Sequence, residues 1–268
     1  KYYKPSIAFK AKINSKVKFF LKKLLPSIFS SGVTQINILV GTIIASFESG
    51  AVSYLYYADR IYQINLAIAG IAVGTVSLPA LSKSLKVGKI HEANSIQNKS
   101  VELCFLFSIP ASLGLIIASR EIVDALFGYG SFSKENVIAT ANALKYFGYG
   151  IPAFALIKIL SNFFFARDNT KTPFYLSLFS VILNIAISVS YFKEVGFIII
   201  PIATSISTWI TVISYFVLLN KSKFIILRAL PLLSILKIIL STIIMSFALY
   251  YGIDFFEDKL IYSNNYKS

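Results

Sequence analysis

The strongest constraint on this chain is a series of seven apolar stretches, each close to the length that crosses a bilayer: 24–47, 51–81, 101–118, 137–165, 174–192, 196–219 and 230–253. A membrane-spanning helix needs about 20 mainly apolar residues at a rise of 1.5 Å each. Lipid offers no partner to an unpaired backbone N–H or C=O, so spanning segments are helices or closed barrels, and stretches this long and continuous read as helices. The expected fold is all-α, a polytopic transmembrane bundle of about seven spans. Composition agrees. The 268 residues are 56% hydrophobic with a mean hydropathy of +0.71, and only 14% are charged, against about 25% in an ordinary soluble domain.

The balance of 26 Lys and Arg against 12 Asp and Glu gives a net charge of +14. A basic surface for nucleic acid is excluded because the basic residues lie between the apolar runs, as membrane-flanking charges do. They also alternate. One side holds the Lys-rich N-terminal segment, Lys83, Lys86, Lys89, Lys99, Arg167, Lys171, Lys221, Lys223 and Arg228. The other holds Arg120, Lys134, Lys193, Lys259 and Lys267, mixed with Glu48, Glu121, Asp124, Glu135, Glu194, Asp254, Glu257 and Asp258. The positive-inside rule places the first side, and the start of this chain, in the cytoplasm, and its end outside. The chain begins at Lys1 and its one Met is Met245. The expectation is therefore a piece of a longer protein, with further spans upstream and one downstream.

Catalytic chemistry finds no footing. One cysteine, Cys104, and one histidine, His91, supply neither a disulfide framework nor a His/Cys metal site. There is no phosphate-binding loop, nucleophile elbow or zinc-protease helix. Gly128-Tyr129-Gly130 and Gly148-Tyr149-Gly150 lack the third glycine and the βαβ setting of a dinucleotide site. The reading is a protein that is not an enzyme and uses no cofactor or metal. Pro26, Gly41, Gly70, Gly74, Pro152 and Pro201 fall within or at the ends of spans, where they permit close approach and kinks.

Four basic residues fall inside spans: Arg60, Lys145, Lys158 and Lys237. Such charges cost roughly 2.5 to 3.5 kcal/mol at a helix centre, so each calls for a reason. The three lysines lie near enough to span ends to snorkel or to pair structurally. Arg60 lies about 13 Å into span two, near the middle of a core about 30 Å thick. Ser53, Tyr56, Tyr57 and Gln63 share its face at i−7, i−4, i−3 and i+3, making a polar, aromatic stripe. Asp59 is adjacent but diverges by about 100°. A guanidinium suits planar recognition of phosphate or carboxylate; the alternative is an arginine paired with an acid on another helix, for which Glu102 is available. Ser30, Ser31, Thr34, Gln35 and Asn37 form a second polar cluster in span one, facing the same cavity or bonding helix to helix. The candidate substrate-binding set is Arg60, Ser53, Tyr57, Asp59, Gln63 and Asn37.

Tyr56-Tyr57-Ala58-Asp59-Arg60, followed by Gly70-Ile71-Ala72-Val73-Gly74-Thr75-Val76-Ser77-Leu78-Pro79-Ala80-Leu81-Ser82-Lys83, closely resembles the MurJ (MviN) lipid II flippase family. Leu126-Phe127-Gly128-Tyr129-Gly130-Ser131-Phe132 is similar to an outer-loop segment of that family. Phe165-Ala166-Arg167-Asp168-Asn169-Thr170-Lys171-Thr172-Pro173 is similar to one of its cytoplasmic turns. The resemblance implies a MATE-like transporter of two six-span lobes plus two helices, of which this chain holds the second lobe and one extra helix. The implied division is a basic cytoplasmic segment over 1–23, the lobe over 24–219, and the added helix with an outer tail over 220–268. It also implies an inner-membrane protein that moves the undecaprenyl-diphosphate-linked peptidoglycan precursor by alternating access. Arg60 would then lie near the diphosphate, and span seven beside the lipid tail. The implied partners are that precursor, membrane lipids and the missing first lobe, with no nucleic acid. Another exporter of the same superfamily, a non-transporting scaffold and a membrane enzyme are the competing readings.

Overall fold

The computed structural model describes residues 14–224 and 232–265, and among these every element is helical. Residues 1–13 of the basic N-terminal segment, Arg228 and Lys267 lie outside the described residues. The helices are α1 (Ser15–Ala45), α2 (Ala51–Leu66), a π-helical turn (Ala67–Ala72), α3 (Val73–Lys86), α4 (Ile90–Ile117), α5 (Ser119–Phe127), α6 (Lys134–Gly148), α7 (Ile151–Phe165), α8 (Lys171–Val195), a 3-10 turn (Gly196–Ile198), α9 (Ile199–Lys221) and α10 (Leu232–Asn265).

By length and composition, four stretches among the described residues can cross a membrane, or five if a bent pair counts as one span. Ala51–Lys86, Ile90–Ile117 and Leu232–Phe255 correspond to the second, third and seventh expected spans, and α6 with α7 forms the bent pair at the fourth. The remaining stretch, Lys171–Lys221, holds 51 residues. Straight, it would reach about 77 Å, far more than one bilayer; it turns back at Gly196 into α8 and α9, which pack side by side. The first expected span falls in α1, where Gln35–Ala45 is a shorter apolar helix.

Two helices begin earlier than hydropathy places them. Ser15 opens α1, where Asn14 caps the helix by accepting from the Val17 N–H at 2.9 Å. The part of the basic segment from Ser15 onward is therefore helix and not loop. α4 begins at Ile90, and Lys89 and Glu92 pair at 3.2 Å across its first turn. His91 and Lys99, which lie between two apolar runs of the sequence, stand exposed on that helix. Hydropathy sees the apolar interval and is blind to polar turns that continue a helix beyond it.

α7 is the central post. Ile151, Ala153, Ala155, Leu156, Ile159, Leu160 and Phe163 are each at most 1% exposed, and α3, α4 and α9 surround them. A helix apolar on most of its sides belongs inside a bundle, and Lys158 is the exposed exception on α7. At one end Leu81, Val101, Phe164, Tyr215 and Leu219 join this post in one core; at the other Ala58, Ile61, Val123, Leu144 and Phe147 form a second. Lipid tails are as apolar as these side chains, so close packing drives the association, not exclusion of water. Gly70 shows the closeness: a methyl there would sit 3.1 Å from the Ala155 Cα.

The breaks are sealed by side chains. α6 and α7 bend by 43°. Pro152 has no N–H for the carbonyl four residues back, and the Ser112 hydroxyl donates to that Gly148 carbonyl at 2.7 Å. Ser205 donates to the Tyr146 carbonyl at 2.8 Å, and Trp209 Nε1 to the Tyr149 carbonyl at 2.9 Å. Beyond the π turn, the Gly74 carbonyl accepts from Asn162 Nδ2 at 2.9 Å. At the hairpin between α8 and α9, the Phe197 N–H donates to Glu48 at 2.7 Å, tying two turns together.

Gly196 adopts φ 72° and ψ −156°, a region almost confined to glycine, and a Cβ there would meet the Glu48 carboxylate at 2.9 Å. Gly196→Ala is expected to destabilise the protein by about 1–3 kcal/mol, read as a lowered melting temperature in detergent. Gly252→Ala, with open space around it, serves as the neutral control. Ser112→Ala should cost about 1–3 kcal/mol by leaving the Gly148 carbonyl unpaired. Ser214→Ala, an exposed hydroxyl bonded only to its own helix, should cost little in the same melt.

Candidate functional site

α2 has one face committed to packing and one left open. Ala51, Ala58 and Ile61 are buried in the second core. Ser53, Arg60 and Gln63 are exposed. Between these faces opens a cleft of about 200 Å³ whose polar lining includes Asn37, Tyr56, Asp59, Tyr62, Asn184 and Thr204. It draws on α1, α2, α6, α8 and α9.

The guanidinium of Arg60 is held by a neutral group. Its Nη2 donates to the Tyr56 hydroxyl at 2.9 Å, and its carbon lies 4.6 Å from the centre of the Tyr56 ring. Among the described residues it makes no ion pair. Asp59, next in the chain, accepts from Gln63 Nε2 and from the Tyr62 hydroxyl. Glu102, the acid available on another helix, lines a different cleft with Lys99 and Lys237. Arg60 thus keeps most of its five donors free on an exposed face, oriented by an aromatic ring and joined to no acid by an ion pair among the described residues.

The six singled-out residues do not converge on one point. Asn37 and Asp59 line the cleft, and Asn37 Oδ1 is buried without a hydrogen-bond partner among the described residues. Arg60, Ser53 and Gln63 stand on the exposed face beside it. The Tyr57 ring meets the Tyr56 ring edge-on at 6.1 Å and also lies 4.7 Å from Phe127 and 5.4 Å from Phe132. It belongs to an aromatic cluster under the loop after α5, because ring packing there outweighs the polar environment of its helical neighbours. Gln63, expected beside Arg60, bonds instead to Asp59, its i−4 neighbour. The side chains of Ser30, Ser31 and Thr34 lie outside those described.

Three cleft residues escaped the sequence reading. Tyr62 sits on α2, stacked on Phe147 at 4.8 Å. Asn184 Nδ2 donates to Thr204 Oγ1 at 2.8 Å, and that hydroxyl donates to the Ile200 carbonyl at 2.7 Å. A lone Asn in the middle of an apolar span was the available signal, since an amide in lipid seeks a partner on a neighbouring helix. The turn over Arg167 to Thr172 proves to be structural. Arg167 donates to the Phe163 carbonyl at 2.7 Å and to the Phe224 carbonyl at 3.1 Å, with its guanidinium carbon 4.4 Å from the Phe224 ring centre. It fastens the end of α7 to the end of α9, and burial lowers its pKa from the usual arginine value.

A cysteine placed at Ser53 or Gln63 in the complete protein is expected to react with a membrane-impermeant thiol reagent, whereas one at Ala58, 0% exposed, stays protected. The native Cys104 is buried and contributes little background. Mass spectrometry of the labelled protein reads the pattern; equal protection at all three positions would mean that this face is covered by lipid.

Comparison with known proteins bears on the same region. The family model described as "Lipid II flippase MurJ" matches residues 3–266. A probable lipid II flippase MurJ of Rhizobium meliloti (strain 1021) is 38% identical over 245 residues, which cover 91% of this chain and 45% of that protein. The corresponding protein of Rickettsia prowazekii (strain Madrid E) is 40% identical over 193 residues, covering 72% and 38%. Among solved structures, "Lipid II flippase MurJ, inward closed conformation" superposes with a TM-score of 0.76 at 29% identity, over 91% of this chain and 51% of that one. An outward-facing multidrug resistance MATE family transporter gives 0.66 at 18% identity, over 85% and 53%, a likeness of fold alone. The chain spans about half the length, or less, of the relatives it matches.

Proposed function

The chain belongs to the lipid II flippase MurJ family, and from that premise we propose that it supplies the second lobe, with one added helix, of a transporter that flips the undecaprenyl-diphosphate-linked peptidoglycan precursor across the inner membrane. The lobe corresponds to residues 24–219 and the added helix to 220–268, with 1–23 as a basic cytoplasmic lead-in. A lobe of the same protein would face α2 and close the cavity. The multi-span, all-helical architecture and the family match support this reading. Charge alternation along the loops favours a cytoplasmic start to this chain.

The observation that carries the mechanism is Arg60: exposed, unpaired with any acid among the described residues, and oriented by Tyr56 beside a cleft. In this reading its fork takes the diphosphate of the precursor, with Ser53, Gln63, Asp59 and Asn37 around the headgroup path. Tyr57 supports the wall from behind. Transport requires no bond to break, so binding and release between two access states suffice, and no cofactor or catalytic residue enters. Another exporter of the superfamily would use the same fold, and its cargo would be distinguished by complementation of a flippase-depleted bacterium.

Arg60→Ala in the complete protein is expected to cut precursor translocation about tenfold or more, the scale of a lost charge-assisted hydrogen bond, while membrane insertion is unchanged. Arg60→Lys, which keeps the charge without the planar fork, should fall between. The assay is survival and precursor accumulation in cells depleted of their own flippase. Full activity of the alanine variant would remove Arg60 from the mechanism.

A further inference from the structure

α10 docks on α4, and the seam between them is open at one end. There Lys99, Glu102, Leu103 and Leu106 of α4 face Ser234, Lys237 and Ile238 of α10 across a cleft of about 320 Å³. Its position is the lysine-rich end of the bundle: Lys99 stands nine residues into α4, after Lys89, and Lys237 five residues into α10. The depths are about 14 Å and about 8 Å along their helices. The first turns of α4 carry His91, Glu92, Asn94, Ser95, Gln97 and Asn98, a sequence suited to water and headgroups. Lys99 and Lys237 therefore lie where the polar zone meets the hydrocarbon.

Three charges meet in this cleft without neutralising one another. Among the described residues neither Lys99, Glu102 nor Lys237 makes an ion pair; the ion pair close by joins Lys89 to Glu92. Lys99 and Lys237 are exposed, and Glu102 is partly buried. Two long cationic side chains and one carboxylate, each short of a partner at a lipid-facing seam, complement a group with one negative centre and one positive centre. Below them the lining becomes apolar, through Leu103, Leu106 and Ile238. Leu233, Leu236 and Leu240 of α10 are exposed on its lipid side, where acyl chains would run.

We propose that this seam is a binding site for an aminophospholipid headgroup: the phosphodiester lies between Lys99 and Lys237, and the primary ammonium is taken by Glu102. Basic pockets between helices at this level bind phospholipid headgroups; the carboxylate narrows the class to lipids that carry an N–H donor. A purely anionic lipid satisfies the lysines and is repelled by Glu102. A choline lipid presents a cation without a hydrogen to give. The occupied seam would hold α10 against α4, a contact otherwise made by few buried side chains, Ile238 and Thr242 among them.

The test is native mass spectrometry of the complete, delipidated protein, titrated with phosphatidylethanolamine, phosphatidylcholine and phosphatidylglycerol of matched chains. The wild type is expected to retain phosphatidylethanolamine about fivefold over either competitor. Glu102→Gln should erase that preference while lipid is still bound. Lys237→Ala, or Lys99→Ala, should weaken retention of all three by about fivefold, the effect of one basic residue near a headgroup. The proposal is overturned if the wild type prefers phosphatidylglycerol or shows no preference, or if Glu102→Gln keeps the wild-type order. The wild-type competition decides the matter even if a variant fails to insert, and none of these readouts depends on translocation.

Discussion

Every break in these helices must find its hydrogen bonds inside the protein, because lipid will not provide them, and this constraint organises the rest. Pro152 removes the donor for the Gly148 carbonyl, and Ser112 replaces it from α4. Ser205 and Trp209 reach the same bend from α9. Arg167 closes the turn after α7, and Glu48 closes the hairpin before α9. The bonds that seal the backbone are also the bonds that join helix to helix, so a kink in one span fixes the place of two others. The bundle is knitted at its irregularities.

That arrangement leaves α7 enclosed and α2 half open. α7 exposes one charged side chain, Lys158, and is otherwise the post around which α3, α4 and α9 pack. α2 buries Ala51, Ala58 and Ile61 on one side and keeps Ser53, Arg60 and Gln63 on the other. An arginine on such a face is costly in lipid and useful against a polar cargo. The π turn that follows it, at Ala67–Ala72, is a geometry that often marks functional regions of helices. Here it follows Arg60 and contains Gly70, the residue that packs closely on α7.

The all-helical class, the apolar character of the spans and the family resemblance were legible from residues in order. The arginine was legible too, because a charge in the middle of an apolar run is conspicuous. Its surroundings were not. Helical spacing placed Tyr57 and Gln63 with Arg60; ring packing also holds Tyr57 against Phe127 and Phe132, and Asp59 took Gln63. Asn184 and Thr204 enter the cleft from spans more than a hundred residues away, and nothing in local periodicity connects them to Asp59. Glu102, an acid on another helix, lines a cleft with Lys99 and Lys237 and not with Arg60.

By itself the sequence determined that this chain spans a membrane as helices, since hydropathy is a property of short windows, and that it carries the motif words of a flippase family. Only the tertiary structure decided which side of α2 is open, what holds Arg60, where the cleft lies, and that the turn at Arg167 is a fastening. The physical reason is that lipid makes every helix surface about equally acceptable to apolar side chains. Which faces meet is then set by close approach at small residues and by the pairing of backbone groups at breaks, and both depend on partners distant in the chain.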